Sequence, residues 1–385
     1  AWYPITPSTS VAEAFERYCN RLRVDPETKK KKFAIVQAED ELAAIGMAIG
    51  ANWNGARAFT ATSGPGISLM SEFLGLAYFA EVPVLLFNIQ RGGPSTGMPT
   101  RTQQSDIISC AYASHGDTKH VLLFPSDPTE VFDFAIKGFD LSDRLQTPII
   151  VMSDLDLGMN DWTTAPFKID ETTEFDRGKV LNARQLDEIK EFGRYLDVDG
   201  DGIPYRTYPG THPEKGAFFT RGTSHDEYAR YTEDGKVNER VMRRLSRKFD
   251  TAKTLLPGPV FGQANQGATL GLIHFGTTAI AIPEAMELLA ERKIHLDTMR
   301  VRAFPFSREV EDFIKSHEKV FVVEQNRDAQ MRSLLVNECG IDPARLVPVL
   351  NFDGFPITAA AIADMVSEHL GQGEWDQAQD GFAAE

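Results

Sequence analysis

The sequence is poor in cysteine and lacks the paired-cysteine motifs that hold metals. Only Cys19, Cys110 and Cys339 occur in 385 residues, and they lie far apart. A Cys-x-x-Cys pair, from which zinc ribbons and iron–sulfur sites are commonly built, is missing. We therefore expect no metal centre in this chain by itself. So sparse and odd a cysteine count is typical of the reducing cytoplasm, where we expect the protein to act.

The chain also lacks a long apolar run and an excess of basic residues. Glu72 and Glu81 interrupt its longest apolar candidate, 67–89, so no apolar run reaches the about 18 residues that a membrane-spanning helix needs. Lys and Arg number 40 against 55 Asp and Glu, so the net charge is −15. Binding to nucleic acid or to an anionic membrane is therefore not expected.

Short apolar runs alternate with helical patterns in the first part of the chain. The runs are nearly continuous, which is typical of strands buried on both faces. They cover 33–37, 57–62, 82–89, 119–125 and 147–153. Helical patterns lie between them at 40–52, 67–80 and 128–139. Strands that alternate with helices predict an α/β fold with a parallel sheet.

The alternation stops at 157–260, which is polar and rich in Asp, Arg, Gly and Pro, and resumes at 268. Within the polar segment, 236–253 predicts a basic amphipathic helix, which we interpret as a solvated connecting helix. Strands are then predicted at 269–275, 295–303, 319–324 and 345–350. Helices are predicted at 281–292, 307–316, 328–338 and 357–370. These patterns predict a second, smaller parallel-sheet unit. We divide the chain into domains at 1–160 and 263–371, a connecting segment at 161–262 and a polar tail at 372–385.

The segment Thr60-Ala-Thr-Ser-Gly-Pro-Gly66 lies at a predicted strand-to-helix junction. Glycines allow a ligand to approach the backbone there, and a helix N-terminus favours anions. The segment is not a dinucleotide fingerprint, because Leu69 stands where the third glycine is required. No Gly-Lys-Ser/Thr follows, which excludes a phosphate-binding loop, and no Gly-x-Ser-x-Gly is present. A ligand loop and a simple tight turn are both compatible with the pattern.

Glu41 closes an acidic triplet that follows the first predicted strand. Acidic residues at a helix start stabilise the helix dipole, which is a purely structural role. Glu41 differs from a surface acid because the helix after it, 42–48, is apolar and has small side chains. A carboxyl group at a dry interface is suited to sharing a proton with a ligand nitrogen.

Arg91 opens the segment Arg91-Gly-Gly-Pro-Ser-Thr-Gly97 directly after a predicted strand. A ligand loop is expected at the carboxyl end of a parallel strand. A single arginine there commonly pairs with a carboxylate of the protein. The neighbouring glycines and hydroxyl groups favour a small anionic ligand instead, because they offer bare backbone N–H groups and further donors.

A third candidate, Asp197-Val-Asp-Gly-Asp-Gly202, begins like a calcium loop. Its twelfth position is Tyr208, where calcium requires a bidentate glutamate, so calcium is not expected. Gly200-Asp-Gly202 is also similar to the start of the thiamine diphosphate motif. No Asn-Asn pair follows and no apolar strand precedes it, so we reject a diphosphate site here.

Taken together, several segments resemble the α-subunit of 2-oxoacid:ferredoxin oxidoreductases. They lie in order over most of the chain, at 3–10, 61–70, 90–97, 204–213, 219–228 and 322–326. The form Arg-Gly-Gly-Pro-Ser-Thr-Gly looks most like that of the 2-oxoglutarate enzymes. Members of the family often carry a fused γ domain ahead of this part. Because Ala1-Trp2-Tyr3-Pro4 is neither an initiator methionine nor a signal peptide, we expect the chain to be a piece of a longer polypeptide.

The resemblance implies a thiamine diphosphate enzyme that works as a heteromer. The first domain would bind the cofactor's pyrimidine, and the second would be a transketolase C-terminal-like domain. A β-subunit would carry the diphosphate domain, Mg²⁺ and a [4Fe–4S] cluster, in a dimer of heterodimers. Oxidative decarboxylation of 2-oxoglutarate would give CO₂ and, with coenzyme A, succinyl-coenzyme A. Ferredoxin would accept the electrons, and the reverse reductive carboxylation would use the same groups.

The resemblance also assigns roles to particular residues. Glu41 would hydrogen-bond the pyrimidine ring nitrogen, next to cofactor contacts from Ser63, Gly64 and Pro65. Arg91 would bind the C1 carboxylate of the substrate, with Thr6 beside it.

For the second carboxylate of 2-oxoglutarate, we infer Ser95, Thr96 and Arg101 as the binding groups. Three alternatives stay open: another 2-oxoacid such as pyruvate, a non-catalytic scaffold subunit, and a thiamine-dependent enzyme not coupled to ferredoxin.

Overall fold

Two five-stranded sheets organise the chain in this computed structural model, which describes residues 1–169, 172–262 and 268–371. The first sheet contains β1 (Phe59–Thr62), β2 (Val84–Gln90), β3 (Val121–Leu123), β4 (Pro148–Asp154) and β8 (Ala303–Phe304). The second contains β5 (Val260–Phe261), β6 (Leu270–Phe275), β7 (Asp297–Val301), β9 (Lys319–Glu324) and β10 (Leu346–Leu350). The predicted α/β fold with two parallel-sheet units is confirmed.

Both sheets are parallel except at one edge strand each. The first has the order β1-β2-β4-β3-β8, in which β8 runs antiparallel to β3. The second has the order β10-β9-β6-β7-β5, in which β5 runs antiparallel to β7. Every residue of β2 and β4 is buried, as expected for central strands covered by helices on both faces.

Helices cover both sheets. Those that precede or pack on the first sheet are α1 (Thr9–Leu22), α2 (Glu41–Trp53), α3 (Gly64–Ala80), α4 (Ile107–Ala111), α5 (Pro128–Leu145) and α6 (Leu155–Met159). The connecting segment holds α7 (Ala183–Glu188) and α8 (Gly235–Leu255), and the second unit holds α9 (Ile282–Glu291), α10 (Arg308–Ser316), α11 (Gln330–Cys339) and α12 (Ala359–His369). Short 3-10 turns lie at Gly276–Ile280 and Pro343–Arg345. Within the described ranges, no helix combines the length and apolarity that a membrane crossing requires.

The prediction of a strand at 33–37 is wrong. This stretch is mostly exposed and forms only an isolated parallel bridge, between Trp2 and Gln37. Two backbone hydrogen bonds hold it, from Trp2 N to Val36 O at 3.0 Å and from Ala38 N to Trp2 O at 2.8 Å. That is too little pairing for a strand. The pattern also gave no warning of α1, whose residues are largely exposed and polar. The predicted tail at 372–385 lies outside the described residues.

The long helix α8 confirms the predicted helix at 236–253, but its interpretation as a solvated connector is wrong. The helix buries one face, which includes the basic residues Arg244 and Lys248. Both meet the carboxylate of Glu81, the residue that ends α3: Lys248 Nζ lies 3.0 Å from Glu81 Oε2, and Arg244 forms a two-pronged ion pair with the same carboxylate. The helix is therefore anchored to the first unit by a buried ionic cluster.

The charged groups of this cluster, Glu81, Arg244 and Lys248, shift one another's pKa values. Burial alone would raise the pKa of Glu81, but Arg244 and Lys248 outweigh it and lower the pKa to about 2. Burial lowers the pKa of Lys248 to about 8, against the opposing attraction of Glu81. Glu81 is fully buried, so removing its charge leaves two cations without compensation in a dry environment.

The two units share one hydrophobic core. β7 of the second sheet and β8 of the first are separated only by Arg302, so the chain passes directly from one sheet to the other. Rings from both units meet where Phe124 and Phe275 lie 5.5 Å apart between centroids. Glu130 of α5 accepts hydrogen bonds from Arg300 at 2.5 Å and from Arg302 at 2.7 Å. These contacts fix the second unit against the first.

We predict that Glu81→Gln strongly destabilises the protein. Removal of one partner from a buried ion cluster costs roughly 3–5 kcal/mol, because the remaining cations lose their compensation. Glu81 has a folded-state pKa below its ordinary value, so its contribution is present above about pH 4.5 and is lost as pH falls towards about 2. Denaturant unfolding at pH 7 and in acid measures both effects.

The matched control is Glu72→Gln, which removes the same charge from an exposed position on the same helix. It should change the free energy of unfolding by less than about 0.5 kcal/mol. Equal effects of the two substitutions would contradict a role for the buried cluster.

Candidate active site

A cleft of about 850 Å³ opens at the carboxyl ends of the first sheet's strands. Its walls are the first turn of α3, the segment 91–109 and two stretches of the second unit near 326–330 and 352–354. Six of the predicted site residues line it: Gly64, Pro65, Arg91, Ser95, Thr96 and Arg101. The remaining three, Thr6, Glu41 and Ser63, contact residues of its wall, as described below.

The junction between β1 and α3 forms as predicted. Ser63 is the N-cap residue and Pro65 occupies the first turn, where its missing N–H has no cost. Ser63 Oγ donates to the carbonyl of Thr6 at 3.3 Å, which ties Thr6 to the cleft wall. A Cβ on Gly64 would lie 2.8 Å from Asp106 Oδ1, so only glycine allows these two segments to approach.

Arg91 is largely buried and is held by main-chain carbonyls. Its Nε donates to Thr6 O at 2.6 Å and its Nη1 donates to Gly92 O at 3.0 Å. A Cβ on Gly93 would lie 2.7 Å from Nη1, so the glycine makes room for the guanidinium group. Within the described part of the chain Arg91 forms no ion pair with a carboxylate. Its positive charge is therefore available to an anion in the cleft.

Ser95, Thr96 and Arg101 lie on the exposed loop that covers this end of the cleft. Arg101 Nη1 donates to Thr100 O at 3.0 Å, and its backbone pairs with Gly92 across the loop. Thr96 Oγ1 donates to Gly93 O at 3.4 Å. The loop thus presents two hydroxyl groups and a second guanidinium beside Arg91.

Glu41 begins α2 and is buried, with 7% of its surface exposed. It does not line the cleft but lies against the first turn of α3, where a Cβ on Gly66 would be 2.9 Å from Glu41 Cγ and would overlap Thr62 Oγ1. Asp40, not Glu41, caps α2 by accepting from Ala43 N at 2.7 Å. Over the described residues the Glu41 carboxylate receives no hydrogen bond, so it is available to a ligand atom.

Asp106 is a cleft residue that sequence reasoning missed. As the residue before α4 it has the sequence position of an N-cap, yet its side chain makes no capping hydrogen bond. It accepts instead from Asn88 Nδ2 at 3.0 Å, and its backbone N–H donates to Gln90 Oε1 at 3.1 Å. Burial raises the pKa of the Asp106 carboxyl to about 6, against smaller lowering effects of Asn88 and Arg91.

The second unit holds the segment that carries Arg101 and Asp106. Thr102 N donates to Gly354 O at 3.1 Å, and Gln104 N donates to Gln325 O at 2.8 Å. Asn326 Nδ2 donates both to Gln104 O at 3.1 Å and to Glu324 Oε2 at 2.8 Å.

The side chain of Gln104 joins the same network. Its Nε2 donates to Asp154 Oδ2 at 2.8 Å, and Thr277 Oγ1 donates to the same oxygen at 2.5 Å. Gln325 Nε2 donates to Thr278 Oγ1 at 3.1 Å. All of these side chains are buried, so the joint between the units is polar, dry and saturated with hydrogen bonds.

The acidic stretch 197–202 does not assemble a cation site. Asp199 and Asp201 both pair with Lys179 Nζ, at 2.6 and 2.8 Å, and Asp197 pairs with Arg247 at 2.7 Å. Across 1–169, 172–262 and 268–371, no three His, Cys, Asp or Glu side chains are grouped in a way that could hold a metal ion.

The chain is similar to known proteins over most of its length. The family model described as pyruvate flavodoxin/ferredoxin oxidoreductase, thiamine diphosphate-binding, matches residues 1–243. The chain is 36% identical over 97% of its length to 2-oxoacid:ferredoxin oxidoreductase 2, subunit alpha, of Aeropyrum pernix, and covers 58% of that relative. It is 31% identical over 85% of its length to the 2-oxoglutarate synthase subunit KorA of Methanocaldococcus jannaschii, and covers 82% of it.

A solved structure has the same fold. It is that of 2-oxoglutarate:ferredoxin oxidoreductase from Magnetococcus marinus with 2-oxoglutarate, coenzyme A and succinyl-CoA bound. The TM-score is 0.85 with 29% sequence identity, over 96% of this chain and 61% of the other. The present chain therefore spans less than two thirds of the length of that protein and of the Aeropyrum relative.

We predict that Asn326→Ala loosens the cleft wall. The substitution leaves Gln104 O without this buried donor, at about 1–3 kcal/mol, and removes one of three donors to Glu324, which keeps those of Met331 N and Arg332 N. Hydrogen exchange of the Thr102 and Gln104 amides should accelerate, because these amides donate to the second unit. The control Asn351→Ala removes an amide that bonds only within the exposed loop 351–355. Unchanged exchange in the Asn326 variant would show that the wall does not depend on this joint.

Proposed function

This chain belongs to the family of 2-oxoacid:ferredoxin oxidoreductase α-subunits, and on that basis we propose that it takes part in the coenzyme A-dependent oxidative decarboxylation of 2-oxoglutarate. The single observation that carries the proposal is the state of Arg91. A buried guanidinium that carbonyls hold, and that forms no ion pair with a carboxylate of the described residues, is suited to bind an anionic ligand.

The substrate role of the cleft follows from the shape and charge of its donors. Arg91 offers a planar fork that matches a carboxylate, and its contact with the Thr6 carbonyl fixes its orientation. We assign the C1 carboxylate of the substrate to Arg91 with Thr6 beside it. Held in this way, the carboxylate that leaves as CO₂ keeps one orientation relative to the reacting carbon.

The preference for a dicarboxylate rests on the loop that bears Ser95, Thr96 and Arg101. These groups bring a second cation and two hydroxyl groups to the cleft that Arg91 also lines, so the cleft offers donors for two carboxylates. A pyruvate-sized substrate has no second carboxylate for these donors to bind. Pyruvate remains the alternative substrate that the experiment below tests.

The residues around Glu41 fit thiamine diphosphate. A buried carboxylate that receives no hydrogen bond from the described residues is suited to hold a ring nitrogen of the cofactor's pyrimidine, and Gly66 leaves space beside it. Ser63, Gly64 and Pro65 supply the adjoining wall. When bound, this cofactor supplies the electron sink that decarboxylation of a 2-oxoacid needs. Glu41 contributes by holding a proton at the ring nitrogen.

The remaining parts of the reaction belong to other chains in this proposal. A β-subunit would bring the diphosphate-binding domain, Mg²⁺ and a [4Fe–4S] cluster, and ferredoxin would accept the electrons. We also propose residues 1–160 as the pyrimidine-binding domain and 263–371 as the transketolase C-terminal-like domain, joined by 161–262. A fused or separate γ domain and a dimer of heterodimers complete the proposed assembly.

We predict that the complex, purified with its partner subunit, reduces a viologen dye with 2-oxoglutarate far better than with pyruvate. Arg101→Gln should raise KM for 2-oxoglutarate about tenfold, because one charge-assisted hydrogen bond contributes about 1.5–3 kcal/mol, and should leave pyruvate unaffected. The control is Arg308→Gln, which removes an exposed guanidinium of α10 that is paired with Asp312 and does not line the cleft. Preference for pyruvate would overturn the dicarboxylate assignment.

A second prediction concerns Glu41. Glu41→Gln keeps the shape of the side chain but removes the acid, so dye reduction with any 2-oxoacid should fall by at least about a hundredfold. Assembly with the partner subunit, measured by gel filtration, should stay intact. Asp40→Asn, one residue earlier and outside the buried interface, is the matched control. Normal turnover of the Glu41 variant would eliminate the role assigned here and favour a scaffold subunit.

A further inference from the structure

The Asp106 carboxyl lines the cleft, and it does not serve as the cap of the helix that follows it. An aspartate before a helix ordinarily accepts a backbone N–H of the first turn, and this one does not. Its carboxyl faces the first turn of α3, close enough that a Cβ on Gly64 would be 2.8 and 3.0 Å from its two oxygens. It also lines the cleft that contains Arg91. The side chain is therefore placed for a ligand.

The position of this carboxyl is fixed from two sides. Asn88, a fully buried residue of β2, donates to one carboxyl oxygen at 3.0 Å, and Gln90 of the same strand holds the backbone of Asp106 at 3.1 Å. Asn88 Oδ1 has no hydrogen-bond partner although it is buried. The second unit holds the neighbouring residue, because Gln330 Nε2 donates to Ser105 O at 2.6 Å.

The charged side chains that line the cleft with Asp106 come from several elements, and of these Arg91 lowers the pKa of Asp106. Arg91 and Arg101 lie on the loop after β2, and the Arg327–Asp328 pair lies on the rim contributed by the second unit. Within α4 the only titratable neighbour is Cys110, a buried thiol whose pKa is raised well above its ordinary value by burial and by Asp106. The first turn of α3 and the adjoining part of β2 bring no charged side chain to the cleft.

Two opposing effects set the pKa of the Asp106 carboxyl. Burial disfavours its charged form, and Asn88 and Arg91 only partly compensate, so the pKa of the carboxyl is about 6. An anion that enters the cleft adds a like charge next to it, which moves the balance further towards the protonated form. A protonated carboxyl is a hydrogen-bond donor, whereas an ionised one repels the anion.

We propose that Asp106 is a further substrate-binding group of the cleft, which takes up a proton and donates a hydrogen bond to a carboxylate of the dicarboxylic substrate. The proposal rests on the function proposed above. Binding of the dicarboxylate dianion is then coupled to uptake of one proton from solvent by the Asp106 carboxyl. The O–H bond of this carboxyl is the only covalent bond that forms. Affinity for a dicarboxylate is accordingly higher at pH 6 than at pH 8, because above pH 6 the free carboxyl must first be protonated.

The test is calorimetric titration of glutarate, a dicarboxylate without the reactive 2-oxo group, into the complex purified with its partner subunit. Runs at pH 6, 7 and 8 in two buffers of different ionisation enthalpy give both Kd and the number of protons bound. The wild-type complex should take up nearly one proton at pH 8, and Kd should rise up to about tenfold per pH unit. Asp106→Asn should take up none and show a Kd that does not change with pH.

Two controls complete the design. Asp328→Asn makes the same change of charge at the exposed rim and should keep the proton uptake of the wild type. Asp106→Ala should bind glutarate weakly at every pH, because the donor is lost.

Three outcomes would overturn the proposal: no glutarate binding, no proton uptake in the wild type, or equal uptake in the Asp106→Asn complex. The function proposed above fails separately, if the wild-type complex reduces no dye with any 2-oxoacid. Dye reduction with 2-oxoglutarate but no proton uptake would leave the function standing and remove Asp106 from it.

Discussion

The buried polar joint between the two α/β units is the constraint on which the cleft depends. Gln104 sits at its centre: its main chain bonds to Gln325 and Asn326, and its side chain bonds to Asp154, which also accepts from Thr277. Each of these groups would be costly to bury alone, so the joint is stable only when both units are in place. The segment 101–106, with its cleft residues, takes its position from that joint.

A second constraint acts on α3, whose two ends serve different purposes. Its first turn forms part of the cleft wall and lies against Glu41 and Asp106. Its last turn ends at Glu81, which is clamped by Arg244 and Lys248 of α8. The connecting segment therefore supports a helix that reaches the site, although none of its described residues lines the cleft. A polar, irregular stretch of sequence is in this way part of the site's scaffold.

Local sequence signals predicted some elements well and others poorly, for physical reasons. Buried parallel strands such as β2 and β4 produce continuous apolar runs, and α5 is announced by Asp127 and Pro128 at its start. The run 33–37 has a similar composition but pairs with another segment only at one isolated bridge. A strand forms only where a neighbouring strand pairs with it, and composition does not show this. α1 was missed because it is polar on average and buries only Ala12 and Cys19, so it lacks the apolar composition that marked the other helices.

The sequence by itself determined the two parallel-sheet units, the resemblance to a family and a short set of candidate site residues, because glycine-rich turns and single charged residues stand out in the chain. Only the tertiary structure decided which of them meet. It joined Arg91 to the Thr6 carbonyl, 85 positions apart, and among the described residues it formed no ion pair between Arg91 and a carboxylate. It also placed Asp106, which the sequence analysis did not single out, in the cleft wall, because side-chain direction depends on contacts between distant segments.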